Sequence, residues 1–280
     1  MEGKARGRKS IFITGAASGI GRATATLFAE KGWFVGAFDI DETGLASLAQ
    51  EIGNDNCVTG RLDVTSKPGF EAALAVFGAE TDGTMDVLFN NAGIGESGWF
   101  EDVPYEAALR VVQVNLVGVL TGIYCALPLL KATKNALCFT TSSSSATYGM
   151  PRLAVYSATK HAVKGLTEAL SIEFARHGIR VADTLPGLID TAILRNTPNR
   201  SDGRKADETE IMLANAPKTG PFRLMPPRAV AEAVWAAYTS DKLHWYVPPG
   251  IAWIDRIKGF APEYIRARVK KLTGGITGDR

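Results

Sequence analysis

Short, nearly continuous apolar runs alternate with longer amphipathic ones along most of the 280 residues. The runs SIFITG from Ser10, FVGAFDI from Phe34, VTGRLDV from Val58, MDVLFNNAG from Met85, ALCFTTS from Ala136, IRVADTLPG from Ile179 and LHWYVP from Leu243 read as strands. Between them, helical patterns cover 20–31, 42–52, 69–77, 105–131, 154–177 and 227–240. Strands separated by helices need crossover connections, which predicts an α/β fold around a parallel sheet. Strands apolar on both faces predict helices on both sides of that sheet. No repeat, low-complexity segment or Pro/Gly/Ser-rich linker divides the chain, so one domain is expected over residues 1–250.

Two regions break the rhythm. Residues 195–218 are polar and charged, and are expected to add a mobile lid over a site. Residues 251–280 form a basic, partly amphipathic extension containing IAWIDRIKGFAPEYIRARVKKL. A basic amphipathic helix can lie on a membrane surface. Pro262 interrupts the pattern, however, which favours packing against the lid or a neighbouring subunit.

Composition narrows the function classes. At 46% hydrophobic residues a substantial core is available, and 31 basic against 29 acidic residues argue against nucleic-acid binding. Cys57, Cys125 and Cys138 show no metal or disulfide spacing and sit in apolar stretches. Buried free thiols and a reducing cytoplasm are expected. The basic opening MEGKARGRKS is followed by no long apolar run, and no stretch is expected to approach transmembrane length.

Candidate chemistry begins at FITGAASGIG, where Gly15, Gly19 and Gly21 stand between a strand and a helical pattern. Glycines permit a tight turn and let backbone amides approach a pyrophosphate at a helix N-terminus. A glycine-rich turn alone also fits a simple strand-to-helix connection. The second strand ends at Asp39, 24 residues after Gly15, where a carboxylate can accept hydrogen bonds from an adenosine ribose. A carboxylate repels a 2′-phosphate, and no Arg or Lys stands in the turn or directly after Asp39, so NAD is expected over NADP. Capping of the next helix is the other role open to an aspartate here, and Asp41 is better placed for it.

Tyr156 and Lys160 are spaced i, i+4 and share a helix face. A free tyrosine has a pKa of about 10. A nearby ammonium favours the phenolate, which would make Tyr156 a general acid/base for an alcohol or carbonyl. The spacing arises often by chance and gains weight only from its company.

Together, TGAASGIG at Thr14, DV at Asp63, NNAG at Asn90, VNLVG at Val114, the serine run at Ser142, YSATK at Tyr156 and PGLIDT at Pro186 resemble the short-chain dehydrogenase/reductase family, in its order and near its spacings. The resemblance covers about residues 10–247. It implies a doubly wound, Rossmann-type sheet of seven parallel strands with its ligand beyond their carboxyl ends, and a substrate loop near 188–226. It also implies that Gly15, Ser18, Gly19, Ile20 and Gly21 bind the cofactor, that Asp63 and Val64 hold the adenine, and that Asn91, Ala92 and Gly93 line the adenosine and ribose side. Lys160 and Tyr156 would meet the nicotinamide ribose, and Pro186, Gly187, Ile189 and Thr191 the nicotinamide end. Asn115 resembles the family's fourth catalytic residue, which holds a water linking the lysine to solvent. An interior polar residue satisfied by a neighbouring backbone group is the plainer reading of Asn115. Where the family often carries Asn before Pro-Gly, this chain has Leu185, which puts the support under the site in question.

The family's active serine stands 13 residues before the tyrosine, which selects Ser143. Alternation along an extended run would put Ser143 and Ser145 on one side and Ser142 and Ser144 on the other. Ser145 is therefore the fallback, and Ser142 and Ser144 are read as polar loop. The expected reaction interconverts a secondary alcohol and a ketone, with Tyr156 moving the proton, Ser143 orienting the oxygen, and Lys160 and Asn115 relaying the proton. The expected substrate surroundings are Gly95, Trp99, Tyr148, Met150, Leu188, Ile193, Leu194, Met212, Leu213 and Met225, mostly apolar, which favours a lipophilic small molecule: steroid-like, aromatic or terpenoid. Rival readings are an NADPH-linked biosynthetic carbonyl reductase and a non-catalytic NAD-sensing protein on the same fold. A homodimer or homotetramer through the long helices is implied by the resemblance.

Overall fold

Strand β1 (Ser10–Thr14) is buried along its whole length, and its pleat sends Ile11 and Ile13 to one side of the sheet and Phe12 to the other. That split repeats across the molecule and gives two apolar layers. One gathers Phe12, Phe34, Phe38, Phe70, Phe77 and Leu88; the other gathers Ile11, Ile13, Phe28, Val35, Phe89 and Phe139. Phe12 stacks on Phe38 at 4.6 Å between centroids and meets Phe77 edge-on at 5.4 Å, an arrangement favoured by ring quadrupoles. The computed structural model describes Ala5 and residues 7–201 and 214–273. Met212, Leu213 and much of the expected lid lie outside the described residues.

After β1 the chain runs through α1 (Gly19–Glu30), β2 (Phe34–Asp39), α2 (Glu42–Ile52), β3 (Cys57–Arg61), α3 (Lys67–Glu80) and β4 (Val87–Asn90). Next come α4 (Tyr105–Val112), α5 (Gly118–Lys131), β5 (Leu137–Thr141), α6 (Ala154–Glu173) and β6 (Arg180–Pro186). Then follow α7 (Ala192–Asn196), α8 (Pro227–Ala237), β7 (His244–Val247), α9 (Ile251–Phe260) and α10 (Pro262–Thr273). Asp41 caps α2 by accepting from the Gly44 amide at 3.0 Å, and Ser66 caps α3 by accepting from Gly69 at 3.1 Å.

The seven strands are parallel in the order β3-β2-β1-β4-β5-β6-β7, a doubly wound Rossmann-type sheet with helices around it. The chain leaves β1 outward through β2 and β3, then returns to place β4 on the other side of β1. The crevice beyond the carboxyl ends of β1 and β4 is therefore the topological switch point.

Several boundaries differ from the sequence expectation. The α3 helix begins at Lys67 because Ser66 caps it and Pro68 fits a first turn. The α6 helix stops at Glu173, and 174–177 tighten into a 3₁₀ turn closed by Gly178 at φ 68°. A π turn, Gln113–Val117, joins α4 to α5 in one continuous helix. That helix, Tyr105–Lys131, is long and apolar enough to cross a membrane, contrary to the expectation that no stretch is. Here it lies against the sheet, burying Val111, Val114, Val119, Ile123, Ala126 and Leu130. The cysteines are free thiols; Cys57 and Cys138 are buried, and burial pushes Cys138 up to about 12, whereas Cys125 is only half-buried.

Candidate active site

The glycine turn sits at the switch point, and its glycines are needed for contact as well as for conformation. Gly15 and Gly19 take left-handed φ values of 68° and 53°. A Cβ on Gly15 would stand 2.9 Å from the Ala92 Cα, and one on Gly21 would collide with the Gly15 carbonyl oxygen. Ser18 is the N-cap of α1, yet its side chain makes no capping bond and is exposed, and the first turn of α1 carries no acidic residue. The first-turn amides are thus left to an external acceptor.

Asp39 lies at the mouth of this turn, with Oδ2 accepting from the Ala17 amide at 3.0 Å and Oδ1 from the Asp41 amide at 3.1 Å. Two arginines approach the region. Arg22 reaches the Ala17 carbonyl but is held by Glu51 at 2.6 Å. Arg61, exposed at the end of β3, is the register partner of Asp39. The sequence reading did not place a base there, because cross-strand register is not a local signal. Asp63, on the loop after β3, accepts from the Thr65 amide and hydroxyl, which holds its carboxyl below the usual range. Val64 packs against Gly118, whose Cβ would meet it at 2.8 Å.

After β4, Asn91 fastens three strand ends. Its amide side chain donates to the Thr14 and Gly15 carbonyls, and its Oδ1 accepts from the Thr141 hydroxyl at 3.1 Å. The Thr14 hydroxyl accepts from the Asn91 and Ala92 amides, both at 3.0 Å. Thr14 opens the TGAASGIG stretch, but neither it nor Thr141 is singled out by the sequence, because their hydroxyls act on a residue of another strand end. Asn115 sits fully buried in the π turn and trades two 2.9 Å bonds with Ile94, accepting from its amide and donating to its carbonyl. The plainer reading of this side chain is thus satisfied, and each end of its amide keeps one further hydrogen-bond valence. Gly93 fits between the catalytic candidates: a Cβ there would lie 3.3 Å from Asn115 Oδ1 and 3.7 Å from Lys160 Nζ.

The serine run is no exposed loop. Ser142, Ser143 and Ser145 are all buried. The strand ends at Thr141 and Ser144–Ala146 form a 3₁₀ turn, so alternation does not extend to Ser145, and the expected pairing of Ser143 with Ser145 fails. Instead the Ser143 Oγ accepts from the Ser145 amide at 3.1 Å, and its side chain favours the phenolate of Tyr156. Ser142 donates to the main-chain carbonyl of Lys160 at 3.0 Å. The Lys160 ammonium donates to the Thr141 carbonyl at 2.8 Å and lies 5.6 Å from the centre of the Tyr156 ring. Burial lowers Lys160 to about 8. For Tyr156 the sequence led to expect a lowered pKa; in the protein alone burial raises it, and Ser143 acts in the opposite direction.

Beyond β6, Gly187 donates to the Val247 carbonyl at 2.7 Å, Ile189 is buried and bridges Met225, and the Thr191 methyl packs over Gly19. Leu185 is fully buried and pairs with Tyr246 of β7. The loops around the cleft are laced together by Arg200 to Glu96 at 2.6 Å and Arg152 to Asn199 at 2.6 Å. Of the expected substrate neighbours, Trp99, Tyr148 and Met150 line an open groove of about 730 Å³ between α6 and α10, and Gly95 lies against Thr197. Ile193 is exposed, and Leu188, Leu194 and Met225 are half-buried.

A doubly wound parallel sheet with a glycine turn, a tyrosine and a lysine at its switch point defines a nucleotide-dependent oxidoreductase scaffold. The chain belongs to the short chain dehydrogenase family, whose model matches residues 9–202. It is 30% identical over 263 residues to the probable oxidoreductase EphD of Mycobacterium tuberculosis, covering 93% of this chain but 44% of that protein, so it spans under half the length of that relative. It is 34% identical over 188 residues to cyclohexanol dehydrogenase of Acinetobacter, covering 66% of this chain and 75% of that one. A short chain dehydrogenase/reductase from Burkholderia phymatum in complex with NAD superposes with a TM-score of 0.80 at 25% identity, over 92% of this chain and 95% of that one. A 3-ketoacyl-(acyl-carrier-protein) reductase from Brucella melitensis complexed with NADH gives 0.73 at 29% identity, over 85% and 96%.

Proposed function

We propose that this protein is an NAD(H)-dependent oxidoreductase interconverting a secondary alcohol and a ketone on a lipophilic substrate that is steroid-like, aromatic or terpenoid. The observation that carries the proposal is the grouping of Ser143 with Tyr156 and of buried Lys160, one helical turn further on, 5.6 Å from the Tyr156 ring centre.

The residues present fit a dinucleotide. The glycine turn has no room for side chains, the α1 amides are uncapped, and Asp39 faces the turn with lone pairs to spare. Gly15, Ser18, Gly19, Ile20 and Gly21 would hold the pyrophosphate, Asp39 the adenosine ribose, and Asp63 and Val64 the adenine. Asn91, Ala92 and Gly93 would flank the ribose side, while Pro186, Gly187, Ile189 and Thr191 would border the nicotinamide. When bound, the nicotinamide supplies the hydride acceptor or donor.

The chain's own residues manage the proton. Tyr156 takes the hydroxyl proton in the oxidative direction and returns it in the reductive one. Ser143, beside Tyr156, donates its hydroxyl to the substrate oxygen and steadies charge developing there. Lys160, with its pKa lowered to about 8, accepts and releases a proton near neutral pH more readily than an exposed lysine. Asn115 fixes the loop carrying Gly93 and Ile94 against this group and takes part in the relay through its remaining valences.

Trp99, Tyr148 and Met150 on one groove support a lipophilic substrate. The relative named for cyclohexanol, a cyclic secondary alcohol, agrees in substrate type. Arg61 beside Asp39 supports a second reading, NADPH-linked reduction, since an exposed guanidinium can meet a 2′-phosphate. Retention of Asn115, Ser143, Tyr156 and Lys160 weighs against a non-catalytic sensor. Exposed Tyr105, Leu109 and Tyr124 on α4–α5 and Ile172 on α6 supply surface for a homodimer or homotetramer. A panel of cyclic, aromatic and steroidal alcohols, with NADH absorbance as readout, tests the function; turnover confined to polyols or sugar acids contradicts it.

A further inference from the structure

Helix α9 turns an apolar stripe away from the protein. Trp253, Ile257 and Phe260 fall at i, i+4 and i+7, on one helix face, and are 64%, 38% and 93% exposed; Tyr264, 56% exposed, follows at the start of α10. The other side of α9 is firmly anchored. Ile251 is fully buried, Asp255 pairs with Lys164 of α6 at 3.0 Å and accepts from the Tyr246 hydroxyl at 2.6 Å, and the Lys258 ammonium lies 3.2 Å from His161 Nε2. These bonds fix which face looks out. Packing, the reading the sequence favoured for this extension, consumes Ile251 and Ile265 and leaves the aromatic stripe uncovered.

The charge around the stripe is one-sided. Residues 251–273 hold six basic side chains, Arg256, Lys258, Arg266, Arg268, Lys270 and Lys271, against Asp255 and Glu263, a net +4. The whole chain carries +2, so the remaining residues together carry −2. Asp255 is turned inward on Lys164 and Lys258 on His161, so the two offset each other and the outer surface stays strongly basic.

We infer that α9 and α10 form a docking surface for an anionic lipid bilayer. Tryptophan, tyrosine and phenylalanine beside arginine and lysine suit the headgroup region, where rings bury their apolar bodies and cations meet lipid phosphates. A second copy of this chain is the weaker occupant, because a two-fold contact through this stripe would bring two +4 surfaces together. Val269 and Lys270 of α10 also line the groove that holds Trp99, Tyr148 and Met150. On the reading of a lipophilic substrate given above, docking places that groove beside the layer in which such a substrate dissolves.

Flotation of the full chain with phosphatidylcholine vesicles, with and without phosphatidylglycerol, tests the surface independently of any turnover. The wild type is expected to float with the anionic vesicles, to be released by high salt, and to stay behind with neutral ones. Trp253→Ala with Phe260→Ala, and separately Arg256→Glu with Arg268→Glu, are each expected to weaken flotation by about tenfold or more. A thermal melt matching the wild type shows that each variant is folded; should the alanine pair melt early, the exposed arginine pair carries the test. Absence of flotation by the wild type overturns the inference, as does flotation that neither pair changes. Conversion of an oligomer to monomers by the alanine pair, without vesicle binding by the wild type, would assign the stripe to a subunit contact instead.

Discussion

Ser142 donates its hydroxyl to the main-chain carbonyl of Lys160 at 3.0 Å, while the Lys160 ammonium reaches back to the carbonyl of Thr141 at 2.8 Å. The lysine is thus held at its backbone and at its tip by two consecutive residues at the end of β5. A free lysine side chain loses much rotamer entropy when fixed, so this double attachment is a preorganising device. It also seats α6, and with it Tyr156, against the strand that delivers Ser143.

Adjacent serines should therefore fail in different ways. Replacing Ser142 with Ala removes a buried bond to the helix and is expected to cost about 1 kcal/mol of stability, read as a lower midpoint in urea, with kcat nearly intact. Replacing Ser143 with Ala is expected to lower kcat by about 10²-fold with stability nearly unchanged. Swapped phenotypes would reverse the two assignments.

The buried Lys160 predicts a pH signature in stability. Its folded pKa, about 8, lies below its ordinary value of 10.5. Below pH 8 the protein bears the full cost of a buried ammonium. Between about pH 8 and 10.5 the unfolded chain binds more protons than the folded one, so stability rises with pH over that window. The comparison is wild type against Lys160→Met, by urea unfolding at pH 7 and at pH 9.5, where the other groups cancel. Wild type should gain on the variant at the higher pH; a gap that stays constant would count against the burial-lowered pKa.

Much of this was legible in the chain because the strands are apolar on both faces and the helices between them keep their period. The glycine turn and the Tyr156–Lys160 spacing are local features and could be read directly. The direction of the serines could not, since nothing local announces that the strand ends at Thr141 and a 3₁₀ turn begins at Ser144. Nor could the π turn that buries Asn115 against Ile94, 21 residues away, or the register that sets Arg61 beside Asp39. Those depend on pairing between distant segments. For the tyrosine, desolvation of the phenol acts against the lysine's proximity, and burial, unlike spacing, is not a local signal.

Asn115 is a test of loop support. Asn115→Ala leaves the Ile94 amide and carbonyl without their partner, at an expected cost of about 1–3 kcal/mol. The loop from Asn91 to Ile94 should shift, so NADH affinity, followed by fluorescence titration, should weaken together with kcat. Loss of kcat with unchanged melting and unchanged affinity would point instead to the relay role alone.

On the proposed function, cofactor choice rests on the balance between Asp39 and its register partner Arg61. Asp39→Ala should narrow the preference for NADH over NADPH in kcat/KM by about tenfold or more, since a repelled 2′-phosphate is no longer excluded and Arg61 is left to meet it. A wild-type enzyme that prefers NADPH would show that Arg61 dominates.

Tyr156, beside Ser143 and backed by Lys160, is the group proposed to transfer the proton. Its most direct test is Tyr156→Phe, which removes one oxygen and keeps the ring. Titration should show NADH bound as tightly as by the wild type, while kcat for the best alcohol found falls by about 10²-fold or more. Turnover at the wild-type rate in that variant would contradict the account.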